Sequence, residues 1–92
     1  MTWTLSLSPK ASKGWSKLPV KVAAIATALF RELESYGPVR GNWPNYGKLA
    51  PNRHHCHIKK GKPTYVAVWE ESKDEIRLIE VRYVGTHEKA LY

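Results

Sequence analysis

The chain has 92 residues, of which 42% are hydrophobic and 25% charged, and its 15 Lys and Arg against 8 Asp and Glu leave a formal net charge of +7. That length supports one domain with one modest core, spanning 1–92, and the ordinary balance of apolar and charged residues excludes disordered and fibrous classes. The positive surplus on so small a body makes a polyanion, nucleic acid above all, the leading partner class.

No apolar run approaches the roughly 20 residues that cross a bilayer, and the opening MTWTLSLSPK lacks the layout of a secretion signal, so no membrane partner and a cytoplasmic location are expected. Cys56 is the single cysteine, which rules out an internal disulfide and a thiolate-rich metal site.

In chain order, Thr2 to Leu7 alternates polar and apolar residues and predicts a half-buried first strand. Ser8-Pro9 suits an N-cap and first helical position, and Ala11, Trp15 and Leu18 recur at helical spacing, giving a short helix before Pro19 in spite of Gly14. From Pro19 to Tyr36 the positions Val22, Ile25, Ala26, Leu29, Leu33 and Tyr36 keep a 3.6-residue period, the firmest helix in the chain, which Gly37-Pro38 should stop. Pro38 to Asn52 is punctuated by glycine and proline and reads as an exposed loop. Three strands follow, Arg53 to Lys59, Thr64 to Glu70 and Glu75 to Gly85, joined by turns short enough to pair them antiparallel. The expected fold is α+β: an N-terminal strand and helical hairpin packed on one face of a mainly antiparallel four-stranded sheet.

Side chains alternate across a strand, so Cys56 and Ile58 should face the helices while His55, His57 and Lys59 face away. The strand Tyr65-Val66-Ala67-Val68-Trp69 is apolar on both faces and therefore central. In the last strand Ile79, Val81 and Tyr83 should share the core face, with Glu80, Arg82 and Val84 opposite. If the polar faces coincide, His55, His57, Lys59, Glu80 and Arg82 converge on one concave surface, with His87 and Glu88 just past the strand end.

This order of elements, together with Tyr83-Val84-Gly85-Thr86-His87-Glu88-Lys89-Ala90-Leu91-Tyr92, resembles the RelE/ParE superfamily of toxins from type II toxin-antitoxin systems over nearly the whole chain. Val84-Gly85, His87 and Tyr92 are similar to the ending of many RelE-like toxins, and Gly85-Thr86-His87 is closer to the HigB branch. His55 and His57 stand where RelE-like toxins carry alternating basic residues on the second strand. The sequence departs from the pattern in having His there rather than Lys, no arginine in Thr64 to Val66, and one residue fewer between Gly85 and Tyr92.

The resemblance implies a RelE-like fold, a cognate antitoxin protein as partner, and ribosome-dependent cleavage of mRNA that inhibits translation, with no metal and no small-molecule cofactor. Such an endoribonuclease, or mRNA interferase, needs a base for the 2′-hydroxyl proton, cations for the phosphorane and an acid for the leaving 5′-oxygen. Histidine fits either proton role because its reference pKa, about 6.5, leaves both forms accessible near neutrality. His57 and His87 are the first candidates, with His55, Glu88 and Tyr92 beside them; Lys59, Arg82, Arg53 and Lys48 are candidates for phosphate. Trp43 and Tyr46, in a loop with Arg40 and Lys48, could stack bases, or their rings could anchor the loop to the core. The run His54-His55-Cys56-His57 does not make a zinc site, because strand geometry aligns only His55 and His57 where three or four ligands are needed; His54 reads as structural. Two other functions fit the same chain: a ParE-like non-enzymatic poison of DNA gyrase, and a plain basic RNA-binding module.

Overall fold

A computed structural model describes residues 2–90. The elements run β1 (Thr4–Leu7), α1 (Pro9–Ser16), α2 (Val20–Tyr36), β2 (Gly47–Ala50), β3 (Arg53–Lys59), β4 (Tyr65–Glu71) and β5 (Leu78–Thr86), closed by a 3₁₀ turn at His87–Lys89. They form one five-stranded sheet in the order β1-β5-β4-β3-β2. β1 pairs parallel with β5 and every other neighbour is antiparallel. Both helices pack on one face, so the α+β class is as expected, and the apolar β4 lies at the centre of the sheet. No helix among the described residues is long and apolar enough to cross a membrane.

The strand count is five rather than four because β2 lies inside the segment read as loop. An edge strand of four residues bonds on one side only and needs no apolar run, so a stretch punctuated by glycine and proline can still supply it. The loop before it is fastened to α2, where the Glu32 carboxylate accepts from Arg40, Asn42 and the Trp43 indole at 3.1, 3.0 and 2.9 Å.

The core joins Val22, Ala26, Leu29, Phe30 and Leu33 of α2 to Cys56 and Ile58, Ala67 and Trp69, and Ile79, Val81 and Val84 of the sheet. Tyr36, expected on that face, is 72% exposed: at the last residue of α2 its ring lies out in solvent under the Arg40 guanidinium, 5.3 Å from the ring centre. Ser8 caps α1 by accepting from the Ala11 amide at 3.1 Å, and its hydroxyl donates to the Arg82 carbonyl at 3.2 Å, fastening the helix start to β5. Gly14 then has a packing reason: a Cβ there would lie 2.1 Å from the Val84 carbonyl oxygen.

Two register shifts decide which side chains leave the helix-covered face. In β3 the pairing steps from His57↔Val66 to Lys59↔Tyr65, so Ile58 is the extra residue and Lys59 no longer follows His55 and His57. Lys59 lines a hollow beside the start of α2, with Val20 and Tyr65, instead of the row predicted from simple alternation. In β5 the pairing steps from Val68↔Tyr83 to Trp69↔Val81, with Arg82 the extra residue. The face assignment therefore reverses past Val81: Val84 is buried in the core, and Tyr83, expected there, lies on the open face.

Gly14→Ala should destabilise the fold by about 1–3 kcal/mol, because α1 must move off β5 to admit the methyl group. Ser12→Ala, on the exposed side of the same helix, should stay within about 0.5 kcal/mol. Urea denaturation of the two variants checks the difference.

Candidate functional site

The open face of the sheet carries the histidines. His55 stands opposite Val68 and His57 opposite Val66, and Val66 and Val68 are buried although no helix covers this face. Room for the His55 ring comes from Gly47 on the neighbouring strand, where a Cβ would sit 3.2 Å from its Nε2. His87 reaches the same area from the end of β5. Its amide donates to the Thr64 carbonyl at 2.8 Å, and its ring meets the His57 ring edge-on, centroids 5.6 Å apart at 70°.

The strand exit before His87 is held by Tyr83, whose hydroxyl donates to the Thr86 carbonyl at 2.6 Å. The ring lies along the strand over Gly85, where a Cβ would be 2.8 Å from the Tyr83 oxygen. His57 and His87, with Lys62, Thr64 and Glu88, border an open hollow of about 640 Å³.

Burial, more than any neighbour, pushes His57 below the usual histidine value, and the nearby His87 and Lys60 push the same way. His55 is lowered first by burial and then by His57 and His87. Both rings are therefore biased to the neutral form near pH 7, in which imidazole can accept a proton. The Nδ1 atom of His57 is buried and has no hydrogen-bond partner among the described residues.

His54 faces the other way, fully buried and stacked on Trp69, centroids 5.9 Å apart. Its Nδ1 accepts from the Tyr46 hydroxyl at 2.7 Å and its Nε2 donates to Glu71 at 3.0 Å, a pattern that the neutral tautomer satisfies. Glu71 alone would favour a charged ring, but burial is the larger effect and the net direction is down.

The remaining sequence candidates fall in several places. Arg53 and Arg82 are on the open face, paired to Glu70 at 2.6 Å and Glu80 at 2.5 Å. They lie toward the opposite end of the face from His57, since Glu70 and Glu80 are paired four and five residues along their strands from Val66 and Gly85. Lys48 pairs with His54 and belongs to the helix side. Trp43 and Tyr46 pack against the core on that side, the first bonded to Glu32 and the second to His54, so both rings anchor the loop. Glu88 is exposed at the rim of the His57 hollow. Tyr92 lies outside the described residues.

Lys10, Lys62 and Tyr83 were missed. The Ser8-Pro9 cap could have oriented Lys10, but the bulge that exposes Tyr83 leaves no sequence signal. Among the described residues no group of three or more His, Cys, Asp and Glu is arranged to hold a metal ion.

Two helices on one face of a five-stranded mixed sheet is the RelE-like fold. A double-arginine variant of E. coli toxin RelE in the free state matches with a TM-score of 0.70 and 24% identity over 96% of this chain and 86% of that one. The isolated E. coli RelE toxin gives 0.69 and 24% over 96% and 87%. The RelE of the archaeal RelE-RelB complex from Pyrococcus horikoshii gives 0.68 and 12% over 98% and 100%. No protein-family model and no curated protein sequence matches the chain.

Stability should fall as pH drops below about 6.5. The unfolded chain then takes up protons that folded His54, His55 and His57, with lowered pKa values, do not bind, and stability is restored above that value. Denaturation midpoints between about pH 7.5 and 5.5 check this, and His55→Gln with His57→Gln should flatten the dependence.

Proposed function

We propose that the chain is the toxin of a toxin-antitoxin pair and acts in the cytoplasm as a ribosome-dependent mRNA endoribonuclease. The observation that carries this reading is the contact between His57, held toward its neutral form, and His87, at an open hollow on the RelE-like sheet. Neutral His57 accepts the 2′-hydroxyl proton as the 2′-oxygen attacks phosphorus. The bond from phosphorus to the 5′-oxygen breaks, and His87 in its protonated form supplies a proton to that oxygen, leaving a 2′,3′-cyclic phosphate and a 5′-hydroxyl. In this reading Lys62, which borders the same hollow, stabilises the phosphorane charge, and no step uses a metal or a small-molecule cofactor.

Charge distribution supports an RNA substrate. Lys10, Lys13, Lys17 and Lys89 line one hollow, Lys21, Lys59, Lys60 and Lys62 the next, and the His57 hollow adjoins it through Gly61, Lys62 and Pro63. Glu88 is the one acidic residue bordering these three hollows, so the whole formal surplus of +7 gathers at this end while acidic and basic residues balance over the rest. The same field steers an acidic antitoxin segment, and the archaeal fold relative was solved with RelB as its partner.

His57→Ala and His87→Ala should each slow cleavage of programmed ribosomes by roughly 10² to 10⁴-fold in single turnover, while ribosome binding changes little. Lys62→Ala should weaken binding as well as cleavage, with a shallower salt dependence. Induction in a bacterial host should give RNA ends within translated frames. Gyrase-linked DNA breaks without RNA ends would replace this reading with the gyrase poison, and histidine variants that cleave at the parent rate would move the site elsewhere.

A further inference from the structure

The peptide unit that carries His87 is bonded through both of its polar groups, from opposite sides. Its N–H, the His87 amide, donates to the Thr64 carbonyl at the start of β4, at 2.8 Å. Its C=O, that of Thr86, points the other way across the planar trans peptide and accepts the Tyr83 hydroxyl at 2.6 Å. No described strand supplies that second bond, because β1 runs alongside β5 only as far as Val81. The Tyr83 ring lies along its own strand and takes the place of the missing neighbour.

The chain brings the phenol there in three ways. The extra residue Arg82 in the pairing of β4 with β5 turns Tyr83 from the helix side onto the open face. Gly85 leaves it room, since a Cβ would lie 2.8 Å from the Tyr83 oxygen and 3.1 Å from Cζ. Lys10 of α1 closes over the ring, its ammonium 5.6 Å from the centre, and α1 is itself fastened to β5 by the Ser8 hydroxyl on the Arg82 carbonyl.

We infer that Tyr83 is a positioning residue for His87: by fixing the peptide plane between Thr86 and His87, its hydroxyl sets the edge-on approach of the His87 ring to His57. A peptide plane is rigid, so anchoring it on both sides leaves mainly the side-chain torsions of His87 to place the imidazole. Without the hydroxyl the unit keeps one anchor and can rock about it. Tyr83 acts through His87 alone in this role and touches no reacting atom. The inference rests on the reading of His57 and His87 as the proton-transfer pair. A misplacement of about 1 Å can cost on the order of 10²-fold in rate, and loosening one of two anchors should cost less than that.

The test pairs two variants. Tyr83→Phe keeps the ring and its contact with Lys10 and removes only the hydroxyl, whereas Gly85→Ala keeps the hydroxyl and pushes it off the Thr86 carbonyl. Histidine ring titrations by NMR need no substrate. In both variants His57 should titrate higher than in the parent, the direction expected when the His87 charge recedes, while buried His54 titrates as before. On programmed ribosomes the saturating single-turnover rate should fall roughly tenfold in each, with the half-saturating concentration within about twofold. The double variant should lose less than the product of the two single losses, because both act on one hydrogen bond. Where the parent cleaves, a saturating rate or a His57 titration unchanged in folded Tyr83→Phe would overturn the positioning role. If the parent cleaves no ribosome-bound RNA, the catalytic reading fails, and the His57 titration alone decides whether Tyr83 sets the approach of His87.

Discussion

The positions of His55 and His57 depend on how β3 is locked against β4. A slip of one residue would exchange the two faces of β3 and carry His55 and His57 into the core. Cys56 and Ile58 oppose that slip as any apolar pair would, but His54 opposes it more specifically. Its buried ring satisfies both nitrogens in one register only, through Tyr46 on one side and Glu71 on the other, while stacked on Trp69. A buried polar group deprived of its partners costs about 1–3 kcal/mol, so this histidine specifies register as well as filling volume. With His54 inward, alternation directs His55 and His57 outward, toward the strand end that presents His87.

The open face then divides by charge. At one end His57, His87 and Lys62 border an open hollow, and lysine-lined hollows beside α1 and the start of α2 lie next to it. At the other end, Arg53, Glu70, Glu80 and Arg82 form a neutral network. The buried Val66 and Val68 separate these regions on the central strand and supply no charge of their own, so the face depends on the flanking strands for its chemistry.

How far the sequence could be read follows from the same physics. β1, α2, β3 and β4 were legible because each has an apolar period that its neighbours only reinforce. The outward direction of His55 and His57 and the structural setting of His54 followed from that alternation. β2 was hidden because an edge strand in a glycine- and proline-rich stretch needs backbone bonds more than apolar residues. Lys59, Tyr83 and Val84 were misassigned for one reason: a bulge is a property of two paired strands, and neither strand's pattern announces it. Trp43 and Tyr46 had two readings in sequence, and their hydrogen bonds to Glu32 and His54 account for their place against the core.

The central claim is that His57 and His87 form one electrostatically coupled pair, with His57 biased to the neutral form by burial and by the charge beside it. The most direct measurement is an NMR titration of the histidine ring signals in the parent protein and in His87→Gln. The account predicts that His57 titrates below the ordinary histidine value of 6.5 in the parent and moves upward when the His87 charge is removed. A His57 that titrates at the ordinary value and does not respond to the substitution would contradict it.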